Sequence, residues 1–545
     1  MHRTLPGLVN TQALVHATRA AVVLPGDMLT FTDLRVRADD VARGLIALGV
    51  EPGDRVGYLL PDGPLCLPTL FGILKTGAIV VPVNNRFKAF ELARVLSSVR
   101  LRALLTAPPP TRAATDLPAL LAEVLPSIEP IANLVMLAPD APTGYLDGPG
   151  FAAAARDVGP QAVAQREARI DADAVALIKY TSGTTGSPKG AMLSHRALLG
   201  AASGAGLEHL LLTDTDVVWS ALPLFHIGGV AFAVSCLCAG ATFVHPGYFD
   251  PDVAVAQLVE HRPTVCMPAF ETIWLPILNH ARFAEVDRDR LRLQQVTGTR
   301  SMLEAFQARL PAAALVSCFG MTEACGFLSL SRPTDALDAR LTTGGYPLPG
   351  MQACITNPDT GEPVAAGEPG EICFRGPNTF AGYYDDPDTN AAVFDDDGYF
   401  HSGDLGVMDA DGRVTFLSRL KDMLKVGGEN VAAAEVEDYL HTHPDIVLAQ
   451  VVAAPDERYV EVPAAFVELR AGASLTEQAL MDFCRGQIAS FRVPRYVRFV
   501  SEWPMSGTKI KKFELRERIA AELQAAGIKQ APRITSGDRP PPIRQ

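Results

Sequence analysis

Tyr180-Thr181-Ser182-Gly183-Thr184-Thr185-Gly186-Ser187-Pro188-Lys189-Gly190 is the stretch on which the reading turns. Residues 174–180 are apolar and strand-like, and the chain then breaks into glycines and small hydroxyl residues closed by one lysine. Glycines let backbone N–H groups converge on an anion, the hydroxyls add donors, and Lys189 brings positive charge. A triphosphate needs that combination. The usual phosphate loop of nucleoside triphosphatases is disfavoured, because Lys189 is followed by Gly190 and the glycine spacing differs. A flexible surface loop is the competing reading, and the loop's place directly after a buried-type strand counts against it.

Upstream, helical and strand-like segments alternate. Residues 30–50 predict a helix that Thr30 can cap, with Leu34, Ala38, Val41, Leu45 and Leu48 on one stripe. A turn at Glu51-Pro52-Gly53-Asp54 leads into a strand over 55–60, an apolar helix over 65–75 and a second strand over 78–83. Such alternation implies an α/β architecture with a parallel sheet. Residues 107–170, rich in Pro and Ala, read as loops and connecting helices. Beyond Asp409 the texture changes: strands are expected over 413–417 and 447–453, helices over 432–440 and 475–489. We therefore expect a large N-terminal domain (1–418) with mainly parallel sheets and flanking helices. A small mobile α+β C-terminal domain (419–528) and a disordered tail (529–545) follow.

The bulk numbers agree. A chain of 545 residues exceeds what one core holds, roughly 250–300 residues. A net charge of −13 argues against a general nucleic-acid binder, though local lysines can still hold an anion. Nine scattered cysteines make no disulfide framework and suit reduced thiols, hence a cytoplasmic protein. Cys236 and Cys238 lack partners at zinc spacing. Residues 227–244 are uncharged, but Ala239-Gly240 reads as a turn between a buried helix and a buried strand, so no membrane span is expected.

Further motifs follow in order: Phe319-Gly320-Met321-Thr322-Glu323, Tyr399-Phe400-His401-Ser402-Gly403-Asp404, the segment from Arg419 through Lys421 and Lys425 to Gly427-Gly428-Glu429-Asn430, and Lys509-Ile510-Lys511-Lys512-Phe513-Glu514-Leu515-Arg516. Together with the phosphate loop they resemble the adenylate-forming superfamily of acyl-CoA synthetases, nonribosomal adenylation domains and luciferases. The resemblance runs from Thr30 to about Arg516 and is greatest to acyl- and aryl-CoA synthetases.

The resemblance implies ATP, Mg²⁺ and coenzyme A as co-substrates and cofactor, a small carboxylic acid as substrate, and catalysis by Lys509, Glu323 and Thr184. Thr181, Ser182, Gly183, Thr184, Thr185, Gly186 and Lys189 would hold phosphates, and Phe319, Gly320, Met321 and Thr322 would line the nucleotide. Glu323 with Thr184 would hold the metal. Asp404 would accept from the ribose hydroxyls, Arg419 would support ribose and phosphate, and Lys421 would be the hinge. His226, Gly298, Thr299, Arg300, Gly427, Gly428 and Glu429 would border the acyl and CoA sites. A homodimer is one option for assembly.

Pro223-Leu224-Phe225-His226-Ile227-Gly228-Gly229 resembles the segment of acyl- and aryl-CoA synthetases, and no aspartate stands nearby to hold an amino group. With Phe270 and Trp274 downstream, a hydrophobic or aromatic acid is expected. His226 is either a gate of that pocket or a satisfied core histidine. Some positions depart from the family pattern. Thr297-Gly298-Thr299-Arg300 replaces the usual Gly-Gly-Ala-Pro, so Arg300 either meets a polar group on the substrate or faces solvent. Ser418 replaces a glycine, and Pro504 lies one residue nearer Lys509 than usual, which leaves Lys511 and Lys512 as alternatives. Two other readings stay open: an acyl-AMP ligase that loads a carrier protein, and an inactive nucleotide-binding homologue.

Overall fold

The computed structural model describes residues 3–109, 115–181, 188–420, 423–426, 429–506 and 509–532. A six-stranded sheet runs in the order Asn133–Met136, Ala103–Thr106, Arg55–Leu59, Ile79–Pro82, Val175–Thr181, Lys189–Ser194. Its neighbours are parallel except the last pair, where Thr181 stands opposite Lys189 and Tyr180 opposite Gly190. The phosphate-loop segment is thus held between two paired strands.

A seven-stranded sheet follows the order Ala314–Val316, Leu293–Thr297, Val265–Phe270, Val217–Trp219, Thr242–Val244, Ala20–Leu24, Asp27–Thr30, parallel except for the final hairpin. Short runs such as Ile79–Pro82 and Ala103–Thr106 are apolar at almost every position because helices cover both faces. One core links the two sheets, while Ile178 and Tyr180 face a second cluster with Val95, Leu96 and Leu121 on the outer side of the six-stranded sheet.

The expected first helix forms as Phe31–Ala47. Thr30 Oγ1 accepts from Asp33 N while the Asp33 carboxylate accepts from Thr30 N, a reciprocal cap that satisfies two orphan donors. Leu34, Ala38 and Leu45 are fully buried, against the helix Cys66–Lys75. The uncharged run splits as read: a helix Ile227–Ala239, Gly240 at φ 70°, then the strand Thr242–Val244. Among the described residues no helix is long and apolar enough to cross a membrane.

Two expectations need correction. Residues 133–136, inside the stretch expected to hold loops and connecting helices, form the edge strand of the six-stranded sheet. The helix expected over 475–489 is only Glu477–Cys484, because Arg485 turns extended (ψ 130°) and Gly486 sits at φ 72°.

A four-stranded antiparallel sheet, Gln352–Thr356, Gly370–Arg375, Phe400–Met408 and Val414–Arg419, precedes the smaller C-terminal domain. That domain is built on the long hairpin Ile446–Asp456 with Val460–Leu469, covered by Ala433–His441 and Lys512–Ala525. Residues 529–532, expected in the tail, pack onto it: Ala531 is buried and donates its N–H to Asp456, and Arg495 donates to Pro532 O. Residues 533–545 lie outside the described chain.

Two buried histidines make the fold acid-sensitive. His245 Nε2 donates to Leu222 O while Nδ1 accepts from Gly247 N, and His195 Nδ1 accepts from Leu5 N, so a second proton would break an acceptor role in each. Burial lowers both from 6.5 to about 4. The unfolded chain therefore binds more protons between pH 6.5 and 4, and stability must fall as pH drops through that window. Urea midpoints should decline from pH 7 to pH 5, and His245→Asn should flatten that decline. An unchanged slope would remove His245 from the account.

Candidate active site

The strand Val175–Thr181 delivers the chain to the phosphate loop and the strand Lys189–Ser194 takes it away. Ser182, Gly183, Thr184, Thr185 and Gly186 lie outside the described residues, and of Thr181 only its backbone place is described. At the loop's far end Lys189 Nζ lies 5.3 Å from the ring centre of Tyr383. The hydroxyl of that tyrosine donates to Glu323 Oε1 at 2.7 Å. Lys189 and Glu323, 134 positions apart by number (323 − 189), are thus joined through one aromatic ring.

Glu323 and Thr322 are buried in the 3₁₀ turn Thr322–Ala324. The turn is tight enough that a Cβ at position 320 would fall 1.9 Å from Gly326 O, so only glycine fits. Phe319, just before it, stacks on Phe416 with centroids 5.6 Å apart and planes at 12°. The phenol takes up one oxygen of this carboxyl group as an acceptor, and a hard oxygen donor of this kind suits Mg²⁺. Glu323 therefore fits the metal role, with Thr184 outside the described residues. Proximity of that carboxylate also holds the Tyr383 hydroxyl, already raised by burial, well above the usual phenol range.

Asp404 stands opposite Arg419 across the strands Phe400–Met408 and Val414–Arg419. Arg419 Nε lies 2.8 Å from Asp404 Oδ1, and Asp404 is 2% exposed against 45% for Arg419. The pair brings a buried acceptor and its counter-charge to the rim of the cleft. Its turn is fixed from behind: Gly403 N donates to Glu371 Oε1, His401 Nδ1 pairs with Glu371 Oε2, and Ser402 Oγ donates to Ile372 O. Glu371, Cys373 and His401 cluster closely enough to suggest a metal, but the carboxylate and imidazole are spent on each other and on this turn.

Lys509 comes from the C-terminal domain on the hairpin Met505–Ser506 with Lys509–Ile510. Its Nζ lies 5.2 Å from the ring centre of Phe270 in the large domain. The residue as a whole is exposed, yet its ammonium is crowded by protein. That desolvation and the Arg419 charge hold it below the usual lysine range, while Asp404 and Glu271 pull the other way. Lys511 pairs with Glu514 and Lys512 with Glu437, so Lys509 alone of the three is directed to the cleft.

His226 caps the helix Ile227–Ala239, its Nδ1 accepting from Gly228 N at 3.2 Å. Burial, helped by Lys509, Lys179 and Arg86, lowers it to about 3, so it is a neutral imidazole. The expected acyl wall is only partly brought together. Trp274 is fully buried and donates Nε1–H to Gln294 Oε1, which makes it core. Arg300 turns outward, bonded to Glu304 and Asp338 at 2.8 Å each. Gly298 and Thr299 end the strand Leu293–Thr297 and lead into the helix Arg300–Arg309. Lys421, Gly427 and Gly428 lie outside the described residues, and only the backbone place of Glu429, in Glu429–Val431, is described.

Sequence reading missed Asp438. Its Oδ1 accepts from Ser301 N at 3.0 Å and Ser301 Oγ at 2.7 Å, so a carboxylate of the C-terminal domain caps a helix of the large one. Thr299 Oγ1 meets His441 Nδ1 at 3.5 Å beside it. Losing a helix cap costs ~1 kcal/mol, about fivefold in an equilibrium. Asp438→Ala should slow acyl-adenylate formation by about that factor and leave thioester formation from preformed adenylate intact. Single-turnover rates of the two halves check this; equal slowing of both would deny Asp438 a state-specific role. Tyr383 was also missed, since nothing in its spacing ties it to Glu323.

An AMP-binding enzyme model matches residues 9–384, and an AMP-binding enzyme C-terminal domain model matches residues 435–509. The putative acyl-CoA synthetase YngI of Bacillus subtilis is 31% identical, covering 95% of this chain and 97% of its own. A feruloyl-CoA synthase of Amycolatopsis is 35% identical, covering 92% and 96%. The crystal structure of the anthranilate CoA ligase AuaEII in complex with anthranoyl-AMP superposes with a TM-score of 0.85 at 25% identity, covering 96% of this chain and 98% of that one. Two matched domains, near-complete coverage and a lysine reaching across them place the chain in the AMP-binding enzyme family, as an AMP-forming acid–thiol ligase.

Proposed function

We propose that the enzyme joins a hydrophobic or aromatic acid to coenzyme A in two steps at one cleft. In the first, a carboxylate oxygen of the acid bonds to the α-phosphorus of ATP as the bond to pyrophosphate breaks, giving acyl-AMP. The acid is already ionised at neutral pH, so no general base is needed. The protein's work is in-line placement and neutralisation of phosphate charge. Lys189 serves the outer phosphates, Thr322 the α-phosphate, and Asp404 the ribose hydroxyls. Lys509 bridges the attacking carboxylate and the α-phosphate. Mg²⁺, held by Glu323 and Thr184, would supply charge neutralisation when bound.

In the second step the thiol sulfur of CoA bonds to the acyl carbon, AMP leaves, and the thiol proton passes to solvent. The small domain turns about Lys421 for this step, withdrawing Lys509 and presenting Gly427-Gly428-Glu429 to the pantetheine arm. The observation that carries the reading is the Lys509 ammonium over Phe270, within electrostatic reach of Asp404. Phe225, Phe270 and a neutral His226 favour an apolar acyl group. Nine free cysteines fit a reducing cytoplasm.

The test is acid-dependent AMP and acyl-CoA formation across aliphatic, aromatic, polycyclic and dicarboxylic acids. Both products from one apolar class support the reading. Acyl-AMP without thioester would transfer the acceptor role to a carrier protein, and silence on every acid with ATP bound would indicate an inactive homologue.

A further inference from the structure

One buried charge has no partner in this account. Lys179 lies in the strand Val175–Thr181 and is 5% exposed. Strand alternation turns Ile178 and Tyr180 to the outer helix layer, so Lys179 faces the opposite side. Its Nζ lies 5.7 Å from the ring centre of Phe225, and its charge reaches the next residue, His226. No carboxylate among the described residues pairs with it. Asp62, the acid nearest the Phe225–His226 segment in bonding, is committed to Leu224 N at 2.7 Å and to Asn85, with Arg86 close.

A lone ammonium largely withdrawn from water is costly, and an aromatic face offsets only part of that cost. Desolvation lowers Lys179 to about 8, so most of it still carries charge at neutral pH. With no carboxylate among the described residues to balance it, an oxygen of a bound ligand is the counter-group this position calls for. ATP is the weaker source, because Lys189 already serves the loop end and Lys509 the cleft. The acid is the stronger one, since Lys179 abuts the Phe225–His226 segment that leads into the helix Ile227–Ala239.

We propose that Lys179 selects acids that carry, besides the reacting carboxylate, a second acceptor oxygen, a carboxylate above all, and that it binds this oxygen beside Phe225 and His226. The inference rests on the ligase reading and narrows its substrate class to apolar acids with one such group.

The experiment compares three acids of matched carbon skeleton: plain, keto-substituted and ω-carboxylated. Wild type, Lys179→Met and Lys179→Arg are assayed for KM and kcat of AMP formation, with calorimetric binding of each acid in the absence of ATP. Wild type should favour an acceptor-bearing acid. Lys179→Met should raise KM for that acid ~10–100-fold while changing plain-acid KM little, and Arg should restore part of the difference. The KM for ATP and CoA should stay put. A wild type indifferent to the second oxygen, or a Lys179→Met loss that is equal for all acids or appears in the KM for ATP or CoA, overturns the proposal. Because the wild-type ranking is itself a readout, a misfolded variant does not spare it. If wild type activates none of the acids, the ligase reading fails; if it activates the plain acid best, only the role of Lys179 fails.

Discussion

Lys509→Ala should lower acid-dependent ATP–pyrophosphate exchange ~10²–10³-fold, by analogy with removal of a preorganised oxyanion donor. The lysine reaches the cleft from another domain, and Lys511 and Lys512 are already paired with Glu514 and Glu437, so neither can replace it without breaking an ion pair. The loss should be confined to the first half-reaction. Chemically supplied acyl-AMP should still be converted to thioester at near wild-type rate, because the proposed rotation withdraws Lys509 from that step. A variant that keeps exchange activity would send the catalytic role to Lys511 or Lys512. A variant slow in both halves would make Lys509 a structural tie at the domain interface.

The second large effect is expected at Asp404. A carboxylate that accepts two ribose hydroxyls makes charge-assisted bonds of roughly 1.5–3 kcal/mol each. Asp404→Asn should raise the KM for ATP on the order of 100-fold or more, since the substitution keeps shape but removes the charge that also holds Arg419. The discriminating reagent is ATP lacking both ribose hydroxyls. Wild type should discriminate strongly against it, and the variant should treat the two nucleotides almost alike. If the variant still discriminates, the ribose is held elsewhere and Asp404 serves chiefly to orient Arg419.

Much of the architecture was readable because local and global signals coincide. Thr30 and Asp33 write a helix start into the chain, and the apolar stripe behind them predicts the face that packs on Cys66–Lys75. Gly240 stops an apolar run that hydropathy alone would have carried on into the next strand. The edge strand Asn133–Met136 escaped because four residues in a Pro-rich stretch give too few periods to count, and its pairing with Ala103–Thr106 is a long-range fact. The helix from Glu477 was overextended because apolar spacing persists after the backbone has turned at Arg485.

In the site, motifs gave residue types but not contacts. The choice among three lysines, the outward turn of Arg300, the core place of Trp274 and the Tyr383 link all depend on which distant element lies opposite. Lys179 was invisible for the same reason. In the sequence it is one polar residue in a strand, and only burial beside Phe225 makes its charge conspicuous.

The cap that Asp438 places on Ser301 has a consequence for how the enzyme responds to its solvent. In the rotation proposed above the two would separate, and the helix start and the carboxylate would each recruit hydration, so the parted arrangement would be the wetter one. Osmolytes excluded from protein surfaces oppose such wetting. Crowding the medium with sucrose should therefore hold the domains together, favouring adenylate formation and retarding the thiol step, and the enzyme's balance between its two half-reactions becomes a function of water activity.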